Sequence, residues 1–196
     1  MAESFNTPPG IISWPHLFQP RPVVVGGEPR FSVTLILDKP AQAHEQWTKI
    51  RRQVAKVIDE RWGNGKCKDQ AFVRSLRMPW MDCANKSQYG GFAVPGGIYI
   101  NPWSKQKPNV FDRRVSPILD PLDVWAGQMA ILSINVWAYQ QSANRGVSMS
   151  LNNVQIIRTD GPRLDGRSTT GSEFTPLDDE GLEDVGAGAD ADDPPF

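Results

Sequence analysis

Aromatic rings and cations alternate along the middle of this 196-residue chain. Arg74 and Arg77 precede Trp80, Tyr99 and Trp103 precede Lys105 and Lys107, and Trp137 and Tyr139 precede Arg145. Arg113 and Arg114 form an adjacent basic pair. No covalent chemistry needs that combination. It suits a partner with negative charge along a flexible backbone and flat faces to offer, as unpaired nucleotides have. Cations match the phosphates, and each base stacked on a ring is worth about 1–3 kcal/mol. For any single Lys or Arg a solvated surface charge is the competing reading, and for any single ring a place in the core.

Other chemistry finds little support. There is no G-x-S-x-G segment and no phosphate-loop lysine motif. The two histidines, His16 and His44, lie far in sequence from the two cysteines, Cys67 and Cys83, and no C-x-x-C pair exists. A zinc site needs about four clustered ligands, so no metal is expected. Cys67 and Cys83 read as free thiols, with a disulfide between them left open. Asp120 and Asp123 flank Pro121 and Leu122, where an Asx turn explains them better than a cation site does. A nuclease would have to assemble its carboxylates from scattered positions, so the chain reads as a binding protein rather than an enzyme.

Charge is distributed unevenly. Residues 173–196 contain nine acids, Glu173, Asp178, Asp179, Glu180, Glu183, Asp184, Asp190, Asp192 and Asp193, and no Lys or Arg. Setting those nine aside from the 22 acids of the chain leaves 13 against 21 Lys and Arg, a body of about +8. A basic body points to a polyanionic partner, while an ordinary soluble surface with a solubilising tail is the competing explanation. The tail has too little apolar surface to offset the entropy of ordering, so it is expected to be disordered. Its tip, Asp190, Asp192, Asp193, Pro194, Pro195 and Phe196, joins acids, a stiff proline pair and a terminal ring bearing the carboxylate. A small apolar pocket rimmed by Lys or Arg on a partner protein would accept that combination. The N-terminus has neither a basic start nor an apolar stretch, and no apolar run reaches the length of a membrane span.

The elements that must position these residues are mostly strands. Gly10–Trp14, Arg30–Leu37, Ile98–Trp103, Val110–Val115, Gly127–Tyr139 and Val147–Arg158 read as strands, the last interrupted near Asn152 and Asn153. In the longest, Ala130, Leu132, Ile134, Val136 and Ala138 make a wholly apolar face, and Trp137 and Tyr139 end the mixed face opposite. That mixed face suits base stacking, and equally a cover by a loop or by a second copy in a homodimer. One continuous helix is predicted over Pro40–Trp62, capped at Asp38 or Lys39 and stopped at Gly63, with Trp47 as a core anchor. The sum is a mainly β protein, an oligonucleotide-binding-fold-like Greek-key barrel with one helix and long loops, spanning residues 1–165. From pattern alone a β-sandwich fits nearly as well. Residues 166–196 form the flexible acidic extension.

Several segments together resemble a family of phage single-stranded DNA-binding proteins. These are Ser13-Trp-Pro-His-Leu-Phe18 leading to Gly27-Glu-Pro-Arg-Phe-Ser-Val33, Gly97-Ile-Tyr-Ile-Asn101, Trp125-Ala-Gly127, Asn135-Val-Trp-Ala-Tyr139 and Gly146-Val-Ser-Met-Ser-Leu-Asn-Asn153. The resemblance spans roughly residues 10–165 and implies sequence-tolerant binding of single strands during replication or recombination, with no catalytic residues and no cofactor. It also implies an intracellular protein of the host cytoplasm. The terminus separately resembles the acidic tip of bacterial single-stranded DNA-binding proteins, with Pro194 and Pro195 where that tip commonly has an apolar residue and one proline. The implication is recruitment of phage or host replication and recombination proteins. The residues expected to hold DNA are Trp137, Tyr139, Tyr99, Trp103, Lys105, Lys107, Arg74, Arg77, Arg113 and Arg145.

Overall fold

Period-two alternation of apolar and polar side chains makes strands that bury one face and wet the other, and such strands carry most of this chain. The computed structural model describes residues 3–22, 25–86, 94–142, 144–161 and 163–164; all belong to the unit Met1–Gly166. Among the described residues there are nine strands: β1 (Ser4–Asn6), β2 (Gly10–Pro22), β3 (Pro29–Leu37), β4 (Trp80–Asp82), β5 (Ile98–Ile100), β6 (Trp103–Ser104), β7 (Asn109–Phe111), β8 (Met129–Gln141) and β9 (Asn144–Arg158). Three α-helices accompany them: α1 (Lys39–Ala43), α2 (Glu45–Trp62) and α3 (Gln70–Arg74).

The hydrogen-bonded path runs β8–β2–β3–β6–β9 and returns through the β8–β9 pairing, so the sheet closes on itself. β8 and β9 pair antiparallel along their whole length, whereas β6 meets β9 in parallel through Trp103 and Ser150. This circuit is a Greek-key barrel of the oligonucleotide-binding type, as expected. β1 prolongs the edge of β2 along β8, β5 prolongs β6 along β3, and β7 runs parallel beside the far half of β9.

The barrel interior is the apolar half of each alternation. Ile12, Leu35, Leu37, Ile100, Ala130, Leu132 and Ile134 have no exposed surface, and Val33, Met149, Leu151 and Val154 have almost none. Trp47, Ile50, Val54, Val57 and Ile58 of α2 join the same core. Burying each large side chain of this kind contributes about 1.5–3 kcal/mol, so the inner face is committed to stability.

The structure adds β1, β4 and α3 to the expected elements, and four of the expected ones differ, each for a local reason. The single helix over Pro40–Trp62 is two helices. Asp38 Oδ1 accepts from Ala41 N (2.8 Å) to start α1, and His44, extended at ψ 145°, restarts the chain as α2 by accepting from Gln46 N at Nδ1 (3.1 Å). A cap side chain in mid-run competes with the helix itself. The short strand at Gly10–Trp14 continues to Pro22, with register shifts between Ser13 and His16 and between His16 and Arg21. The strand expected over Val110–Val115 stops at Phe111, because Asp112 Oδ1 accepts from Arg114 N and Ser116 N (both 2.8 Å) and turns the chain. The run Ile98–Trp103 is broken at Asn101–Pro102 into β5 and β6. The interruption expected near Asn152 and Asn153 is a bulge: Asn153 faces Ser133 and Leu151 faces Ile134, leaving Asn152 as the extra residue. Cys67 and Cys83 are free thiols, and Asp120 makes its turn by accepting from Leu122 N (2.8 Å).

Candidate nucleic-acid interface

The outer face of the barrel carries what the inner face excludes. On β9, Ser148 and Ser150 point outward between the buried Val147, Met149 and Leu151. Ser148 is the register partner of Trp137, and Ser150 of both Asn135 and Trp103. Two small side chains therefore form a trough over which rings from β6 and β8 meet. Trp103 and Trp137 contact edge to face with centroids 6.3 Å apart, and Tyr139 follows 5.7 Å from Trp137. All three are half-buried. The indole Nε1 of Trp137 is covered and has no hydrogen-bond partner among the described residues. A buried N–H without an acceptor costs about 1–3 kcal/mol, so stability alone does not select this ring.

Trp103 also forms one wall of a groove of about 1020 Å³ that runs over β2 and β3 and is lined by Trp14, His16, Arg21, Glu28, Arg30, Ser32, Thr34, Lys86 and Asn101 among others. Its floor is polar: Thr34 donates its hydroxyl to Asn101 Oδ1 (2.6 Å). Its walls pair cations with rings. The Arg30 guanidinium lies 3.9 Å from the centroid of Trp103, and Lys86 Nζ lies 4.5 Å from that of Trp14. Trp14 sits at the first irregularity of β2 with φ 43°, a left-handed conformation that side chains rarely adopt, and is 39% exposed. Backbone strain that turns a large ring toward solvent is characteristic of binding positions. The groove and the ring row share Trp103, so they form one track across β2, β3, β6, β9 and β8.

Charge along the track follows its burial. Partial burial holds the Lys86 ammonium below its ordinary pKa. Burial, with Arg21 adding to it, does the same for the His16 imidazole. Glu28 is held below the usual carboxylate range chiefly by its hydrogen bond with Lys105, at 2.8 Å.

The sequence-predicted residues divide into groups. Trp103, Trp137 and Tyr139 come together as described. Lys105 reaches Glu28 at the groove mouth, and Lys107 Nζ lies 5.5 Å from the ring of Phe18. Arg74 and Arg77 are exposed beside the start of β9, where Arg77 N donates to Arg145 O (3.1 Å) and Val147 N donates to Arg77 O (2.9 Å). Arg145 donates from Nη2 to Ser75 Oγ (2.8 Å) and lies over the ring of Phe72. This basic group adjoins the Tyr139 end of the row, since Tyr139 faces Gly146. Arg113 is exposed at the opposite end, with its carbonyl bonded by Gln155 Nε2. Gln155 is seven strand residues from Ser148, roughly 23 Å, so Arg113 does not join the ring row.

Tyr99 is the correction. It lies on the outer face, but the segment from Met81 to Lys86 folds over that part of the face. Tyr99 is 2% exposed, packed with Ile36 and Cys83, and donates its hydroxyl to Met81 Sδ (3.4 Å). A ring so covered has no face for a base. Asp190, Asp192, Asp193, Pro194, Pro195 and Phe196 lie outside the described residues. Sequence reasoning missed Trp14, Arg21, Arg30 and Lys86. For Arg30 a signal existed, because Arg30, Ser32 and Thr34 alternate with Phe31, Val33 and Leu35 as the polar half of β3. Among the described residues, no three His, Cys, Asp or Glu side chains gather as metal ligands, and no helix is long and apolar enough to cross a membrane.

A closed Greek-key barrel with a ring-lined, cation-rimmed groove on its outer face defines a member of the oligonucleotide-binding-fold class. The sequence model of one family within that class, described as the Enterobacter phage Enc34 ssDNA-binding protein, matches residues 11–185. The chain belongs to this family. It is 26% identical over 170 residues to a putative protein, p50, of Acyrthosiphon pisum secondary endosymbiont phage 1, covering 85% of this chain and 89% of that protein. Among solved structures, the single-stranded DNA-binding protein from bacteriophage Enc34 in complex with ssDNA superposes with a TM-score of 0.65 at 18% identity, over 81% of this chain and 88% of that one. The gp2.5 single-stranded DNA-binding protein of bacteriophage T7 does so with a TM-score of 0.57 at 11% identity, over 90% of this chain and all of its own. At such identities these two likenesses show the shared fold.

Proposed function

We propose that this protein binds single-stranded DNA with little sequence preference, along the track from the Trp14–Lys86 end of the groove through Trp103 to Trp137 and Tyr139. The observation that carries this reading is the meeting of Arg30, Trp103, Trp137 and Tyr139 on the outer face across β3, β6, β9 and β8, above the two small serines of β9. Rings stack any base, and Lys105, Lys107, Arg77 and Arg145 supply phosphate contacts at both ends, so affinity is sequence-tolerant and salt-dependent. The family is one of ssDNA-binding proteins, and the bound partner of the Enc34 structure is ssDNA; both agree with this assignment. The role is a binding one, without catalysis, inside the host cell. Titrating the full chain with oligo-dT at two salt concentrations, following Trp fluorescence, tests it. Quenching that weakens as salt rises is expected, and absence of quenching in dilute buffer refutes it.

Residues 1–165 are the binding body, and the extension over 166–196 has a separate role. Its nine acids mimic a polyanion, and its tip recruits replication or recombination proteins through Phe196. Deleting residues 173–196 is expected to tighten DNA binding, most at low salt, because an internal competitor is lost. Unchanged affinity in a filter-binding assay would remove the competitor role. Recruitment is read separately, by pull-down with and without Phe196.

A further inference from the structure

On the reading of the groove as a single-strand site, we infer that Arg30 is a base-stacking surface backed by Trp103 rather than a phosphate contact. A guanidinium offers five N–H donors around its edge and two flat faces. The central guanidinium carbon of Arg30 lies over the Trp103 indole, 3.9 Å from the ring centroid. Its Nη2 lies 4.0 Å from the Glu28 carboxylate, and Glu28 is in turn held by Lys105 at 2.8 Å. Glu28 already takes up part of the donor edge of the guanidinium. Arg30 and Trp103 both line the groove, which leaves the side of the guanidinium away from the indole for a ligand in it. The Arg30 side chain keeps 34% of its surface exposed, enough for a flat ligand to lie against it.

The same geometry explains how Trp103 takes part in binding. One of its faces is occupied by Arg30, and it meets Trp137 edge to face at 77°. A base does not need to displace the arginine, because guanidinium planes themselves stack on nucleobases. The indole backs the guanidinium, and the base completes a three-layer stack of indole, guanidinium and base. Trp103 is the positioning residue in this scheme.

Stacking and charge separate when Arg30 is replaced by lysine, which keeps the cation and loses the plane. The full-length protein and its Arg30→Lys variant are titrated with oligo-dT and with an abasic oligonucleotide of equal length, each at several salt concentrations. Wild-type binding to oligo-dT comes first and tests the single-strand reading itself, so the two ideas fail separately. The variant is expected to bind oligo-dT about tenfold more weakly, to bind the abasic strand like the wild type, and to keep the same salt slope. Equal binding of oligo-dT by variant and wild type overturns the inference, as does an equal loss on both strands. Arg30→Ala adds a second reading. Loss of a phosphate contact lowers the salt slope by about one, whereas loss of a stacking surface weakens oligo-dT at every salt concentration alike. Thermal melts establish that each variant folds, and Arg30→Gln, planar but uncharged, replaces any that does not; on oligo-dT at high salt it is expected to outbind Arg30→Ala, and parity between them counts against stacking.

Discussion

Two tryptophan pairs in this molecule have nearly the same ring geometry and opposite surroundings. Trp47 and Trp80 meet edge to face with centroids 5.4 Å apart at 69°, and Trp103 and Trp137 meet at 6.3 Å and 77°. Trp47 is 3% exposed, on the buried face of α2 with Ile50 and Val54, and its pair belongs to the main core. Trp103 and Trp137 lie on the outer face over the two serines of β9, Trp103 beneath the cation of Arg30. Ring geometry therefore does not distinguish a core pair from the pair proposed to bind. The distinction comes from what lies on the free side: apolar atoms in the first case, a groove with charges at its rim in the second.

Substitutions can break this comparison, and the largest effect is expected in the core. Trp47→Ala should lower unfolding stability by about 3–5 kcal/mol through lost burial and the cavity left behind. Chemical denaturation measures the loss, and the remaining folded molecules should bind oligo-dT with normal affinity. Trp137→Ala should do the reverse. It is expected to cost about 1–3 kcal/mol of binding with a smaller change in stability, since it also removes the unpartnered indole N–H. If Trp137→Ala unfolds the protein while binding per folded molecule persists, both pairs are structural and the comparison fails.

The next effect separates rings from charges on the outer face. Lys107 makes no ion pair among the described residues, so Lys107→Ala should lower the slope of log affinity against log salt by about one. Trp137→Ala should leave that slope unchanged. Fluorescence titrations of both variants over a salt series make the test, and equal slopes in the two would remove the division of labour.

The smallest effect concerns the groove as an environment between core and solvent. His16 is held below its ordinary pKa of 6.5 by burial and then by Arg21. The unfolded chain therefore binds a proton more readily than the folded one in that window. Its contribution to stability is full above pH 6.5 and is lost as pH falls through the lower folded value. Thermal melts between pH 7.5 and 5 should show a decline for the wild type that is shallower in His16→Gln. Parallel declines would mean that the groove is as wet as open surface at His16.

Legibility followed the range of the interaction involved. The apolar face of β8, the Asp38 cap, the stop at Gly63 and the core position of Trp47 were readable, because each depends on side chains within a few residues. The break at His44 was not, although its signal was local: histidine is an uncommon cap, and the helical period runs through it unbroken. Within the candidate site, Trp103, Trp137 and Tyr139 were nameable from their strands' alternation. Trp14 was not, because its exposure arises from an irregularity of β2 that no sequence period announces.

The sequence by itself determined the strand-rich body, its basic charge, the acidic extension and the two-faced character of β8. Each is a property of composition or of a period-two pattern. The tertiary structure alone decided which rings meet. Arg30, Trp103 and Trp137 are joined only through the registers of β3, β6, β9 and β8, and Tyr99 is lost to the groove only because Met81 to Lys86 cover it. Alternation states which way a side chain points, but whether another segment lies in front of it depends on chain closure over distances that no local pattern encodes.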